Sequence, residues 1–332
     1  MCVKTYEACL SCLERQAKDV CAISDLSAHD VDEVLDVVRD KIREFSFDEP
    51  PIVMAIEIHD LIRENSGNPD LYAAAKKMAN KACLESAPAM TRVMACSVTS
   101  LATAIRLAIA GNIIDCGAYG MKEVSNQDLS GVIQDVLARP LMGDSVDDFS
   151  ALIGESRSIL YIGDNAGECF FDVPLLRLLP ADRLTYAVRG GPILNDATKE
   201  DARAAGIDRI CDLIDTGDNA PGVLLERCSE EFRRVFDDSD LIISKGQGNY
   251  ESLSELPGKT IVFLTKVKCE IIAGDIGFKL NSNVMKISMA KIEASVSGAI
   301  EDDNDGLTTA RNLGKRVASV VGMHLQGVEA CK

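Results

Sequence analysis

From Ser158 onward, short apolar runs alternate with segments of helical spacing, and this alternation limits the possible folds more than any other feature. The runs predicted as strands are 158–164, 184–190, 209–215, 241–246 and 260–265, and 283–290 could add another. Apolar strands joined by helices are typical of a parallel sheet that is covered by helices on both faces. We therefore predict an α/β fold with a Rossmann-like, mainly parallel sheet.

Before residue 150 the apolar residues instead recur with the period of a helix. The predicted helices are 31–45, 51–65, 71–87 and 94–112, and a closing helix is predicted at 306–325. Asp30 is a candidate N-cap for the first helix. The segment 94–112 is apolar almost all round, so we expect it in the middle of the helical half. The pattern predicts an all-helical cap domain over residues 1–150 and an α/β domain over residues 151–332.

Composition narrows the classes of partner. The 332 residues include 35 Lys and Arg against 52 Asp and Glu, a net charge of −17, which disfavours nucleic acid. No apolar run approaches the length of a membrane helix, and the N-terminus lacks an apolar signal core, so we expect a cytoplasmic protein. The twelve cysteines are scattered, which favours reduced thiols, and only three histidines are present. A small anionic metabolite remains compatible with this composition if basic residues converge locally.

Polar loops follow all five of the strands predicted first. Because ligands of such sheets bind at the carboxyl ends of the strands, we expect these loops to form the site. The loops are 163–168, 189–198, 216–222, 245–251 and 266–269. Turn formation by Gly, Asn and Asp explains any one of them, but it explains poorly why Lys245 and Lys268 occur there.

The side chains in these loops suit a divalent cation beside a phosphoryl group. Oxygen ligands of the kind that Mg²⁺ or Mn²⁺ prefers, with Co²⁺ or Ni²⁺ tolerated, are available from Asp164, Asn165 and Asp196. Positive charge would come from Lys245 and Lys268, and close backbone N–H groups from Gly246 and Gly248. Neither glycine loop has a named nucleotide-binding pattern.

Taken together, five stretches resemble the metal-dependent damage-control phosphatases, formerly a family of unknown function. They are 111–115, 163–168, 189–198, 244–251 and 266–269. The N-terminal CLSCLERQA (9–17) resembles the prokaryotic branch that carries a CxxC motif. The resemblance implies a helical N-terminal region before an α/β domain. It also implies a metal held by Asp164, Asn165 and Asp196, with Lys245 or Lys268 on the phosphate side.

Several residues have a functional and a structural interpretation. Two interpretations, as metal ligands or as ordinary turn residues, fit Asp164, Asn165 and Asp196. A catalytic or substrate-binding role is one interpretation, and a structural role at a helix start or turn is the other, for Glu168, Asn249, Asn112 and Asp115. A soft metal could be bound by Cys9, Cys12 and a third cysteine such as Cys269, although we favour buried, structural thiols.

The resemblance predicts a hydrolase that acts on small phosphorylated metabolites, such as damaged or side-product sugar phosphates or cofactor-related phosphates. The attacking group would be a water molecule activated by the metal or a carboxylate such as Asp164 or Asp196. An S-adenosylmethionine-dependent carboxyl methyltransferase and a non-catalytic metabolite-binding protein are the alternatives. Substrate, physiological metal and oligomeric state are left open by the sequence.

Overall fold

The computed structural model describes residues 3–24, 26–111 and 129–289. The strands in these residues are β1 Leu141–Gly143, β2 Ile159–Ile162, β3 Leu184–Val188, β4 Asp212–Asp215, β5 Leu241–Lys245, β6 Ile261–Lys266 and β7 Asn283–Ser288. The α-helices in the first half are α1 Glu7–Ile23, α2 Ala28–Glu44, α3 Pro51–Ser66, α4 Ala73–Cys96, α5 Ser100–Gly111 and α6 Leu129–Ala138. The later ones are α7 Val146–Glu155, α8 Glu168–Leu176, α9 Lys199–Ala204, α10 Glu230–Asp238, α11 Gly246–Leu253 and α12 Glu270–Ile276.

The strands form one sheet in the order β1-β7-β6-β5-β2-β3-β4. From β6 to β4 all neighbours are parallel, whereas β7 runs antiparallel to β6 and β1 runs parallel to β7. The predicted α/β fold with a mainly parallel sheet is therefore confirmed. β1 has only three residues, which is too short to produce a recognisable pattern.

The sheet is buried on both faces, which explains why its central strands are apolar at successive positions. In β2, Ile159 and Tyr161 belong to one core cluster, and Leu160 and Ile162 belong to another. Adjacent side chains of a strand point to opposite faces, so each face needs its own apolar set.

The position of α5 differs from the prediction. The helix begins at Ser100 and packs against α8 and β6 as well as α4 and α6, rather than in the middle of the helical half. It is apolar almost all round because several of these elements cover it at once. The tight fit is visible at Gly111, where an added Cβ would lie 3.0 Å from Phe171 Cβ.

The N-terminus of α2 also differs from the prediction, because the cap is Ser27 and not Asp30. The Ser27 hydroxyl oxygen accepts from the Asp30 N–H at 3.3 Å and donates to Asp30 Oδ2 at 2.7 Å. Asp30 thus occupies the third helical position, where its backbone N–H is capped by Ser27 and its carboxylate accepts from the Ser27 hydroxyl.

No described helix combines the length and apolarity needed to cross a membrane. The described residues belong to one compact unit, in which α4 and α5 both pack against α8. The division at residue 150 stays a prediction, and the predicted helix 306–325 lies outside the described residues.

Candidate functional site

The site lies where the strand order reverses. β2 and β5 are neighbours in the sheet, and the chain continues from β2 to β3 on one side and from β5 to β6 on the other. In an open parallel sheet, such a switch point leaves a crevice at the carboxyl ends of the two strands. The loop 163–168 follows β2 at this point, and Gly246 follows β5.

The three predicted metal ligands come together at this edge. The N–H of Ala197 donates to the carbonyl of Asp164 at 2.8 Å, and Asn165 and Asp196 face each other in an antiparallel bridge. The loops after β2 and β3 are therefore joined by backbone pairing. The solvent-exposed fraction is 8% for Asp164, 6% for Asn165 and 4% for Asp196. Three oxygen-bearing side chains thus share a nearly closed site.

Glu168 fixes the orientation of the Asn165 amide. Asn165 Nδ2 donates to Glu168 Oε1 at 2.6 Å, and more weakly to Asp164 Oδ2 at 3.3 Å. Since the amide nitrogen is directed at these carboxylates, the amide oxygen is left as an acceptor for another group. That is the orientation required of an asparagine that binds a cation.

Lys245 is held in a buried network at the end of β5. Its Nζ donates to Glu168 Oε2 at 2.9 Å and to Asp172 Oδ1 at 2.8 Å. The hydroxyls of Tyr161 and Tyr186 donate to the two oxygens of Asp172 at 2.7 and 2.8 Å. Burial acts to lower the pKa of Lys245, but Asp172 and Glu168 outweigh it and raise the pKa above the ordinary value. Lys245 is therefore a cation, and two of its three N–H groups are used within the protein.

Asp164 sits among other acidic groups. Burial, followed by the nearby carboxylates of Glu168 and Asp196, raises the pKa of Asp164 well above its ordinary value. Lys268 and Arg189 act in the opposite direction. Carboxylates crowded in a desolvated site are stabilised in their charged form by a bound cation.

The loop after β5 fits closely around these groups. At Gly246 φ is +79°, and an added Cβ would lie 1.8 Å from Asp164 Oδ2. At Gly248 an added Cβ would lie 2.0 Å from the carbonyl oxygen of Pro221. Asn249 is fully buried, and its Nδ2 donates to the carbonyls of Gly163 at 3.1 Å and Lys245 at 2.7 Å. Asn249 thereby ties the ends of β2 and β5 together.

Comparison with known proteins gives the family. A model of the damage-control phosphatase ARMT1-like domain matches residues 5–284. The chain belongs to this family. It is 36% identical over 301 residues to the protein MJ0202 of Methanocaldococcus jannaschii, covering 85% of this chain and 95% of that one. It is 34% identical over 296 residues to a damage-control phosphatase of Archaeoglobus fulgidus, covering 86% and 99%.

A solved structure agrees with this assignment. The crystal structure of a DUF89 family protein, PH1575 of Pyrococcus horikoshii, matches with a TM-score of 0.77 and 28% identity, covering 85% of this chain and 98% of that chain. In sequence, the damage-control phosphatase PH1575 is 30% identical over 281 residues. The resemblance recognised in the sequence is therefore confirmed.

In this member of the damage-control phosphatase ARMT1-like family, the structure adds residues to the site that were not predicted from the sequence. Arg189 lies 1% exposed beside Asp196, and Asp172 holds Lys245 together with Tyr161 and Tyr186. A weak signal existed, because Asp172 is an acid inside the apolar segment CFFDVPLL and Arg189 directly follows a strand.

The functional roles of the predicted residues stay predictions. Lys268 is half-buried and close enough to influence Asp164 electrostatically. Gly246, Gly248 and Asn249 make the structural contacts given above, and their substrate contacts are untested. Asn112 and Asp115 lie outside the described residues.

The cysteines agree only in part with the buried, structural role that we favoured. Cys12 is exposed, whereas Cys9 and Cys269 are half-buried. Gln247 Nε2 lies 3.6 Å from Cys269 Sγ, and burial is the main cause that raises the pKa of the Cys9 and Cys269 thiols. All cysteines in the described residues are free thiols, as the scattered spacing predicts.

Proposed function

We propose that the chain is a divalent-metal-dependent phosphatase that hydrolyses monoesters of small phosphorylated metabolites. The observation that carries this proposal is the convergence of Asp164, Asn165 and Asp196 at the switch point of the sheet. Membership of the damage-control phosphatase ARMT1-like family supports it, as do the names of the relatives from A. fulgidus and P. horikoshii.

The donor set fits a hard divalent cation. Mn²⁺, Co²⁺, Ni²⁺ or Mg²⁺ would be held by the carboxylates of Asp164 and Asp196 and by the oriented amide oxygen of Asn165. When bound, the cation would polarise a phosphoryl oxygen and offset its negative charge. Metabolites of the sugar-phosphate or cofactor-related class are the substrates we propose.

The protein's own groups would position and stabilise the phosphoryl group. Glu168 holds the Asn165 amide in orientation and, with Asp172, keeps Lys245 charged at the end of β5. Lys268 adds positive charge near Asp164. Because these groups are fixed before substrate arrives, they need little reorganisation as charge develops in the transition state. Water or a carboxylate remains the candidate attacking group.

The test is phosphate release from p-nitrophenyl phosphate with each of the four metals, with and without chelator. We expect turnover that a chelator abolishes and metal restores. Asp164→Asn should lower kcat/KM about 100-fold or more, because it weakens cation binding. Asp182→Asn is the matched control. The Asp182 side chain is 80% exposed, so this substitution should leave turnover unchanged.

Chelator-insensitive turnover would refute the metal requirement. Methyl transfer without hydrolysis would favour the methyltransferase alternative, and ligand binding without any turnover would favour the binding protein. A screen of phosphorylated metabolites with the metal-loaded protein then tests the substrate class.

A further inference from the structure

The backbone around Arg189 is held on both sides. The N–H of Arg189 donates to the carbonyl of Ala197 at 3.0 Å, and the N–H of Gly190 donates to the carbonyl of Asp218 at 2.8 Å. A Cβ on Gly190 would lie only 2.6 Å from the backbone nitrogen of Asp218, so the two loops are in close contact. The base of the Arg189 side chain is thereby fixed relative to Asp164 and Asp196.

The guanidinium of Arg189 is only partly used by the protein. Its Nε donates to Asp196 Oδ2 at 2.7 Å. Nη2 lies 3.9 Å from Asp164 Oδ1, which is too far for a hydrogen bond, and among the described residues neither Nη1 nor Nη2 has a hydrogen-bond partner. Arg189 is 1% exposed, and buried donors without partners are rare because they are destabilising. Two directed terminal nitrogens are therefore available for a ligand.

The chemistry of that ligand follows from the geometry of the donors. A guanidinium presents its N–H groups in a planar fork that matches two oxygens of a carboxylate or a phosphate. Lys245, which is also a fully buried cation, already donates to two carboxylates. Arg189 is thus the buried cation with more unused donors, and it lies beside two of the proposed metal ligands.

We propose that Nη1 and Nη2 of Arg189 bind oxygens of the substrate's phosphoryl group, and bind the inorganic phosphate product in the same way. This inference rests on the proposed function. The adjoining Asp164 side chain keeps 10% of its exposure, which gives an approach to the fork. Gly190 and Gly191 also line a cavity of about 740 Å³ with Arg63, Asp218 and Asn219, where the organic part of the substrate could lie.

The test measures phosphate and Mn²⁺ binding separately. Calorimetry gives the Kd of inorganic phosphate for the Mn²⁺-loaded protein and the Kd of Mn²⁺ for the metal-free protein, and inhibition of turnover gives the Ki of phosphate. The variants are Arg189→Gln and Arg189→Lys, which removes the fork but keeps a positive charge beside Asp196. Arg157→Lys is the control, because Arg157 is 89% exposed and pairs with Asp240. Thermal melting verifies that each variant folds.

We expect both Arg189 variants to raise the Kd and Ki of phosphate by about 10-fold to 100-fold. Mn²⁺ binding should be unchanged or tighter in Arg189→Gln, because a cation next to Asp164 and Asp196 has been removed. A purely structural role would weaken both ligands together, and that result would overturn the inference.

Phosphate affinity within threefold of the wild-type value in both variants would overturn it as well, and so would a wild-type protein that binds no phosphate. Calorimetry needs no turnover. A protein that binds phosphate through Arg189 but hydrolyses nothing would therefore refute the proposed function and leave Arg189 as a phosphate-binding residue.

Discussion

At the scale of single residues, Gly246 illustrates how the absence of a side chain makes room for a neighbouring carboxylate. The carboxylate of Asp164 occupies the space that a Cβ at residue 246 would fill, and φ of +79° is a conformation that other residues adopt at a cost. The end of β5 can thus lie directly against the acid that follows β2. The sequence shows the glycine, but not what it touches.

Gly246→Ala should therefore destabilise the protein and weaken Mn²⁺ binding. Gly258 is the matched control, because its φ is also +79° and an added Cβ would meet nothing within 4 Å. We expect Gly258→Ala to lose about 1 to 2 kcal/mol from backbone strain alone. Gly246→Ala should lose clearly more in urea unfolding, and its Mn²⁺ affinity should fall at least about 10-fold if Asp164 is displaced. Equal losses in the two variants would show that the contact with Asp164 is not tight.

At the scale of elements, α3 contains a fully buried histidine. His59 is 1% exposed, and its ring lies 6.1 Å from that of Tyr72. Burial, with a smaller contribution from Arg63, lowers the pKa of His59 from 6.5 to about 3. The folded protein therefore holds this imidazole neutral at physiological pH, as suits a structural residue.

The buried imidazole makes stability depend on pH with a defined sign. Between pH 3 and 6.5 the unfolded chain binds a proton at residue 59 that the folded protein does not. The free energy of unfolding should thus increase with pH in this window, by up to about 1.4 kcal/mol per pH unit from His59. Urea unfolding of His59→Leu at several pH values should show a shallower slope. His29→Gln, which alters an exposed histidine, should keep the wild-type slope; the idea fails if His59→Leu keeps it too.

At the scale of the whole molecule, α5 and α4 connect the helical half to the α/β part of the chain. α5 shares a core cluster with residues of β2, β3, β5 and β6, and α4 packs against α8. The residues after β2 are therefore braced from the helical side by α8, which begins with Glu168. Cooperative unfolding is expected when elements share buried apolar surface in this way.

Native-state hydrogen exchange tests this cooperativity. The slowest amides of α5 and β5 should open with the same free energy, equal to that of global unfolding. A clearly lower opening free energy over α1–α5 would contradict the expectation, and it would support the division at residue 150 that the sequence predicts.

The sequence by itself determined the parallel sheet and the loops at its carboxyl edge, because a strand buried on both faces must be apolar at successive positions. The grouping of Asp164, Asn165 and Asp196 follows from that edge. Only the tertiary structure decided the contacts of α5, the antiparallel direction of β7, the pairing of Lys245 with Asp172, and the unused donors of Arg189. Local patterns encode the period of an element, whereas the partner of a side chain depends on elements far away in the chain.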